Sequence, residues 1–503
     1  GNWPEPRTNG VAECRYTVHG RTREIGRRKS RMTRASVVIV GGGIAALAAA
    51  FELTGGAEGP TADTPRIEII EASSEFGGPL QTTTFGERLM DLGPDGFLAT
   101  RTEAVQLAKD LGLENDLIPI NASGANIFLN GKLYPLPSGL KLGVPVDRKQ
   151  VEEIGGLSKK AVKAAKRDLK KPRKLRVGED ISIGAILANK LGEELAYQLI
   201  EPMIGGIQAG RINDLSAKSI FPALYNAAKQ GGSLMKNLAE LMPTSESSGP
   251  AFMSLRQGVG SLPHVLEEVL RSRAVILRTQ TTVTRVRPVA SGEYHWEVDT
   301  ERTTTPANAV IMATPANVTG ALAGAIDPEL AQLRKVKTAP TAMVTFEFAT
   351  ESISLPEHGT GILVPLGTQW SGSGSLLTTA ITFLDRKWKP LHKSESVVLR
   401  VHVGRSDDQR YAKLSDEALE ERVLHELAFI LGEAPTPLRS VVAHYPVGLP
   451  QYEVGHERLV SAAREVSEPL NMFLAGNSYD GVGIPASIKS GRLTGQQVLR
   501  AIA

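Results

Sequence analysis

Apolar positions along the chain fall into two patterns. Short unbroken apolar runs come first. Ser36-Val-Val-Ile-Val40 is β-branched and meets Gly41-Gly42-Gly43, then the helix-forming stretch Ile44 to Leu53, then a second run, Arg66-Ile-Glu-Ile-Ile-Glu-Ala72. Runs of this length without alternation predict strands covered on both faces, as in a parallel sheet. Val275–Leu277, Thr281–Val286, Ala309–Met312 and Met472–Leu474 read as further strands, and a last helix runs from Ala486 to Ala501. Between residues 340 and 456 the pattern alternates instead. Thr341–Phe348, Leu376–Leu384 and Val397–Val403 predict an antiparallel sheet, covered by one helix from Asp416 to Leu431. Residues 146 to about 240 are helical and basic, and Glu103 to Leu111 predicts a separate helix.

The strand, glycine turn, helix and strand at the start form a dinucleotide-binding unit. Glycines at 41, 42 and 43 let the backbone approach a pyrophosphate, whose charge sits on the unpaired N–H groups of the helix that begins at Ile44, Ala45 and Ala46. Ala46 stands where a third glycine is common, and the fingerprint accepts alanine there. Glu71 closes the second strand, where a carboxylate accepts hydrogen bonds from a ribose, and Ala72 follows it. The Gly- and Pro-rich loop from Thr54 to Pro65 lengthens the spacing to Glu71 without moving it from the strand end.

Composition narrows the chemistry. A chain of 503 residues predicts two or three domains, and 41% hydrophobic with 22% charged residues is ordinary for a globular protein. A net charge of +3 gives no reason to expect a nucleic-acid partner. Cys14 is the only cysteine, which excludes disulfides within the chain and dithiol redox chemistry, so electrons must travel on a bound cofactor. The nine histidines have no metal-ligand spacing. No apolar run approaches the roughly 18 residues that cross a bilayer. Residues 1–34 are Arg-rich with no apolar core, unlike a secretory signal; they read as a disordered extension ahead of Met32, with an organelle-targeting segment as the rival. Ten Lys and Arg residues crowd positions 159 to 176 against Asp168 alone, which fits a solvated helix face or loose contact with an anionic membrane surface. The expected location is cytoplasmic or peripheral to a membrane.

Several motifs carry a resemblance. Glu71-Ala72 is followed by Gly77-Gly78 and Thr82, a pattern similar to that of flavoproteins such as amine oxidases, phytoene desaturases and porphyrinogen oxidases; Pro79 stands where that group usually has Lys or Arg. Gly93-Pro94-Asp95-Gly96-Phe-Leu98 resembles the Gly-Pro-Asp-Ser-Phe-Leu turn of soluble bacterial porphyrinogen oxidases. Pro450-Gln-Tyr-Glu-Val-Gly-His456 and Gly481-Val482-Gly483-Ile484-Pro485 resemble two further motifs of that family, although Leu449 replaces a Met.

The resemblance implies FAD as cofactor. It implies flavin or adenine contacts at Gly78, at Gly93, Pro94, Asp95 and Gly96, at Val283 and Tyr445, and at Val482, Gly483 and Ile484. Taken as side chains alone, an aliphatic residue in a strand such as Val283 is usually core, and a buried aromatic such as Tyr445 most often just packs. Arg101 matches a basic family position and suits a propionate of the substrate, although a solvated arginine is as good a reading. The implied activity is oxidation of a porphyrinogen by O2 in haem biosynthesis, with coproporphyrinogen III favoured over protoporphyrinogen IX and no side chain assigned as acid or base. A flavin amine oxidase or carotenoid desaturase on the same fold is the enzymatic alternative, and a prenyl-protein escort module the non-enzymatic one.

The fold class is therefore α/β, α+β overall: a Rossmann-like FAD-binding domain, an antiparallel-sheet substrate domain and a helical subdomain. The expected boundaries are 35–98, 250–316 and 457–503 for the first, 99–145, 205–249 and 317–456 for the second, and 146–204 for the third.

Overall fold

A computed structural model describes residues 34–242, 249–370, 374–433 and 435–503. The N-terminal extension and Cys14 lie outside the described residues. β1 (Ser36–Val40) is buried along its whole length, as a fully apolar run requires. It is the middle strand of a five-stranded sheet with β2 (Arg66–Ile70) and β3 (Ile276–Arg278) on one side and β4 (Ala309–Met312) and β5 (Met472–Leu474) on the other. All four pairings are parallel. The chain leaves β1 toward one side and returns on the other, so the crevice beyond its carboxyl end is a topological switch point, where open α/β sheets bind ligands.

Three helices cover this sheet: α1 (Ile44–Leu53), α2 (Ser261–Ser272) and α3 (Ile484–Ile502). Small residues set the contact between α1 and α3. A Cβ on Gly491 would lie 2.1 Å from the Ala45 carbonyl oxygen, and one on Gly495 would lie 2.8 Å from that of Ala49. The two helices therefore meet backbone to backbone and run in the same direction. α3 begins seven residues before this contact and α1 only one, which offsets their N-termini by about 9 Å.

The second layer is a seven-stranded sheet in the order 439–450, 338–349, 396–403, 378–383, 361–363, 126–129, 132–135. One face buries Val344, Phe346, Phe348, Leu399 and Val401 against Leu419, Val423 and Leu427 of the helix Asp416–Leu431. This is the covering helix the alternation predicts. The sheet is mixed rather than wholly antiparallel, because 361–363 pairs in parallel with 126–129. The hairpin 126–135 and the long strand 439–450 extend it beyond the three strands expected.

Helices between 148 and 241 form the third part around a separate apolar cluster that draws in residues on both sides of position 204. Ser158, Ser182, Ser216 and Ser233 start four of these helices, each accepting a backbone N–H three residues on. Helix Glu201–Gln208 packs against strands 361–363 and 378–383 and so bounds the free face of the sheet.

Candidate functional site: a crevice between two helix ends

The Gly41–Gly43 turn is shaped by close approach. Gly41 has φ +99° and donates to the Ile70 carbonyl at 2.9 Å; a Cβ there would sit 2.5 Å from the Ala313 carbonyl oxygen. A Cβ on Gly42 would strike Phe76 at 2.6 Å and Glu71 at 2.8 Å. Gly43, by contrast, opens onto free space, with nothing within 4 Å of a Cβ built on it. It caps α1 without any side-chain hydrogen bond, which leaves the first N–H groups of Ile44, Ala45 and Ala46 available. Across this opening lies Gly78, with φ +61°, on a segment bridged to the turn through Gly43 and Gly77.

The Glu71 carboxylate serves the turn directly. One oxygen accepts from Gly42 N–H at 2.6 Å and the other from Ser73 N–H at 2.7 Å. Lone pairs remain on both oxygens for a further donor. Ala72 is exposed beside it. Val283 is brought near the same end of the crevice, because Thr281 N–H donates to the Glu71 carbonyl at 2.9 Å. It is itself buried at a bulge in strand Val283–Pro288.

The second helix end is built the same way. Gly481 and Gly483 have φ +115° and +109°, Val482 is half-buried between them, and Gly483 caps α3 with no side-chain bond and open space around it. A tyrosine–histidine pair fixes this loop. Tyr452 and His456 stack with ring centroids 3.9 Å apart. The Tyr452 hydroxyl donates to the Asn477 carbonyl at 2.5 Å and accepts from Gly481 N–H at 2.8 Å, while His456 Nε2 meets the Ser478 carbonyl at 3.0 Å. That last contact puts the proton on Nε2, and burial lowers the His456 pKa to about 4.

The Gly93–Gly96 turn lies between crevice and sheet. Arg400, 1% exposed, donates to the Asp91 carbonyl and, at 2.7 Å, to the Gly93 carbonyl. Asp95 pairs with Lys387 at 2.7 Å and lies 3.7 Å from Arg400, and these two cations hold its carboxyl below the usual range despite burial. Pro94 is half-buried within the turn. Gly93 and Gly96 are required by contact: a Cβ on Gly93 would lie 2.6 Å from the Tyr445 hydroxyl, and one on Gly96 would lie 2.6 Å from Trp388. Tyr445 thus stands directly against the turn. Its hydroxyl is buried with no hydrogen-bond partner, and desolvation pushes its pKa up to about 12. A buried hydroxyl without a partner costs about 1–3 kcal/mol, so this atom awaits one.

Arg101, expected at the substrate, is exposed and makes no side-chain bond or ion pair among the described residues. The basic stretch forms helix Lys159–Lys170, whose cations line one groove with Arg148 and Lys190. Asp168 does not oppose them. It is buried and accepts from Ser233 Oγ at 2.9 Å and Met235 N–H at 3.0 Å. Among the described residues no helix is long and apolar enough to cross a membrane.

Two uncapped helix ends, offset along one parallel sheet and joined by open glycines, define a dinucleotide-binding fold, and the unpartnered Tyr445 hydroxyl suits a ring with polar edges. The chain belongs to the flavin containing amine oxidoreductase family, whose model matches residues 44–499. It is 30% identical over 468 residues to the coproporphyrinogen III oxidase of Bacillus subtilis (strain 168), covering 91% of this chain and 96% of that protein. Human protoporphyrinogen oxidase is 28% identical over 493 residues, covering 92% and 98%. A crystal structure from Exiguobacterium sp. 255-15, described provisionally as a protoporphyrinogen oxidase, superimposes with TM-score 0.80 at 30% identity over 93% of this chain and 99% of that one. Cyclohexylamine oxidase from Brevibacterium oxydans IH-35A shares the fold at TM-score 0.64 and 15% identity, covering 93% and 99%.

Proposed function

We propose that this protein oxidises a porphyrinogen to the porphyrin in haem biosynthesis, with FAD bound in the crevice and O2 as electron acceptor. The observation that carries this reading is the free face of the seven-stranded sheet. Met343, His402, Ala380 and Leu363 form one row across it, and all four are half-buried although they lie inside the sheet. This mostly apolar row lies on the face that helix Glu201–Gln208 bounds on one side and Arg400, with the Gly93–Gly96 turn it holds, on the other, a surface suited to a large flat ligand. The relatives near 30% identity named above are called porphyrinogen oxidases, while the amine oxidase shares the fold at only 15% identity, which favours this over an amine substrate.

FAD bound here would supply the hydride acceptor and, on reoxidation, deliver electron pairs to O2. The chain's own groups bind and orient. The Ile44–Ala46 N–H groups and Gly43 would receive the pyrophosphate, Glu71 would accept from a ribose, and Val283 and Ala72 would border the adenine. The N-terminus of α3, with Val482 and Gly483, would hold the flavin end, together with Tyr445 and the Gly93–Gly96 turn. Arg101, exposed and without an ion pair among the described residues, would hold a propionate of the substrate. The chain divides into a cofactor part, a sheet part and a helical part, the last running past the expected limit at 204 to about 241, and the 159–170 helix makes loose contact with anionic lipid surfaces. Coproporphyrinogen III is the preferred substrate. Rates of porphyrin fluorescence gain in air, with each porphyrinogen offered separately, test this: faster turnover of coproporphyrinogen III supports it, and faster turnover of protoporphyrinogen IX reverses the preference.

A further inference from the structure

Strand 396–403 crosses the middle of the seven-stranded sheet. Leu399, Val401 and Val403 point into the core beneath the helix Asp416–Leu431, while Val398, Arg400 and His402 share the opposite face. Arg400 uses that face to hold the carbonyls of the Gly93–Gly96 turn. His402 is one step further along it, between Met343 and Ala380 on the neighbouring strands.

An imidazole in the centre of a sheet is most often a packing residue with its ring nitrogens satisfied. His402 departs from this in two ways. It lies deep in the protein yet keeps accessible surface, as do Met343, Ala380 and Leu363 in its row. Only Nε2 has a partner, Thr382 Oγ1 at 3.1 Å; Nδ1 has none among the described residues. With the Thr382 oxygen accepting from Nε2–H, the lone pair stays on Nδ1.

We propose that His402 is a catalytic residue, a general base whose Nδ1 accepts the ring N–H proton of the porphyrinogen as the adjoining meso carbon gives up hydride. The inference rests on the function proposed above. In each round the substrate loses one C–H bond with its electron pair to the flavin and one N–H proton to His402. A double bond forms in the tetrapyrrole, and the imidazolium passes its proton to water.

The surroundings suit a base that is neutral beforehand and releases its proton readily afterwards. Arg400 on the same strand and Lys387 across the turn disfavour a charged imidazole, Asp95 favours it, and burial disfavours it most, bringing the pKa to about 4. The flanking strands present only Met343, Thr345, Ala380 and Thr382 to it. A weak base suffices, because departure of hydride leaves the pyrrole N–H strongly acidic.

Two measurements test this. ¹⁵N-histidine NMR of the protein without and with FAD should give a His402 ring protonated at Nε2 and titrating near pH 4; a ring protonated at Nδ1 overturns the proposal. In anaerobic stopped-flow, His402→Gln should slow flavin bleaching by coproporphyrinogen III about 100- to 1,000-fold. Its flavin spectrum and porphyrin affinity should stay those of the wild type, and the acid limb of the rate profile should vanish. His402→Met, apolar and of similar length, covers the case in which the glutamine variant does not fold. Wild-type bleaching rates in these variants overturn the role of His402 and leave the function standing. A wild-type flavin that no porphyrinogen bleaches removes the function and this inference together.

Discussion

Replacing Gly491 by alanine tests the helix contact that sets both cofactor-binding ends. A free helix gains about 1 kcal/mol from this change, so propensity alone predicts stabilisation. The structure predicts the reverse. The new Cβ would lie 2.1 Å from the Ala45 carbonyl oxygen and 2.9 Å from its carbon, well inside ordinary contact. α1 and α3 must part by about 1 Å at Ala45, the second residue of α1. Overpacking of this kind costs about 1–3 kcal/mol. Moving the first N–H groups of α1 by that distance also weakens one or two charge-assisted hydrogen bonds to the pyrophosphate, each about 1.5–3 kcal/mol, so FAD should bind at least ~10-fold more weakly. Thermal melts of the FAD-free protein and quenching of FAD fluorescence separate the two effects. Gly206→Ala is the control, since nothing lies within 4 Å of a Cβ there and the residue is helical. If Gly491→Ala melts and binds FAD like the wild type while Gly206→Ala behaves as expected, the close approach of the two helices does not set the cofactor site.

Tyr445→Phe removes a buried hydroxyl that has no protein partner, so the FAD-free protein should gain about 1 kcal/mol while the stabilisation conferred by FAD shrinks; a less stable FAD-free variant contradicts this. His402 and His456 both have pKa values lowered to about 4, so between pH 6.5 and 4 the unfolded chain takes up protons that the native state refuses. Stability therefore falls on acidification through that window, by up to ~3 kcal/mol per histidine, and denaturation of His456→Gln should show a shallower acid slope. Lys160 and Lys163 line the basic groove without ion pairs among the described residues, so the double change to Glu should reduce sedimentation with phosphatidylglycerol vesicles. Unchanged sedimentation, or none by the wild type, removes the lipid contact.

The parts legible in the sequence are those fixed by local pattern. β1, the Gly41–Gly43 turn and α1 follow from an unbroken apolar run, three glycines and a stretch of alanines, and they form where that pattern puts them. Helix Asp416–Leu431 is legible for the same reason. Strand 439–450 carries Pro446, Gly448 and Pro450, which break the alternation that marks a strand; it tolerates them at the sheet edge, where missing N–H donors cost little. Arg400 and His402 were hidden among valines, since alternation shows which residues share a face but not what that face meets. Their partners, Gly93, Asp95 and Thr382, come from distant segments. The Tyr452–His456 pair is a similar case. Its motif is conspicuous, and its work is to hold the loop before α3, more than twenty residues later.

Anaerobic mixing of the FAD-loaded protein with coproporphyrinogen III asks whether electrons pass from the tetrapyrrole to the bound flavin. The oxidised flavin absorbance should be lost on mixing and return when air is admitted, and porphyrin fluorescence should rise only after air allows repeated rounds. A flavin that stays oxidised, or FAD that washes off a folded protein, would contradict it.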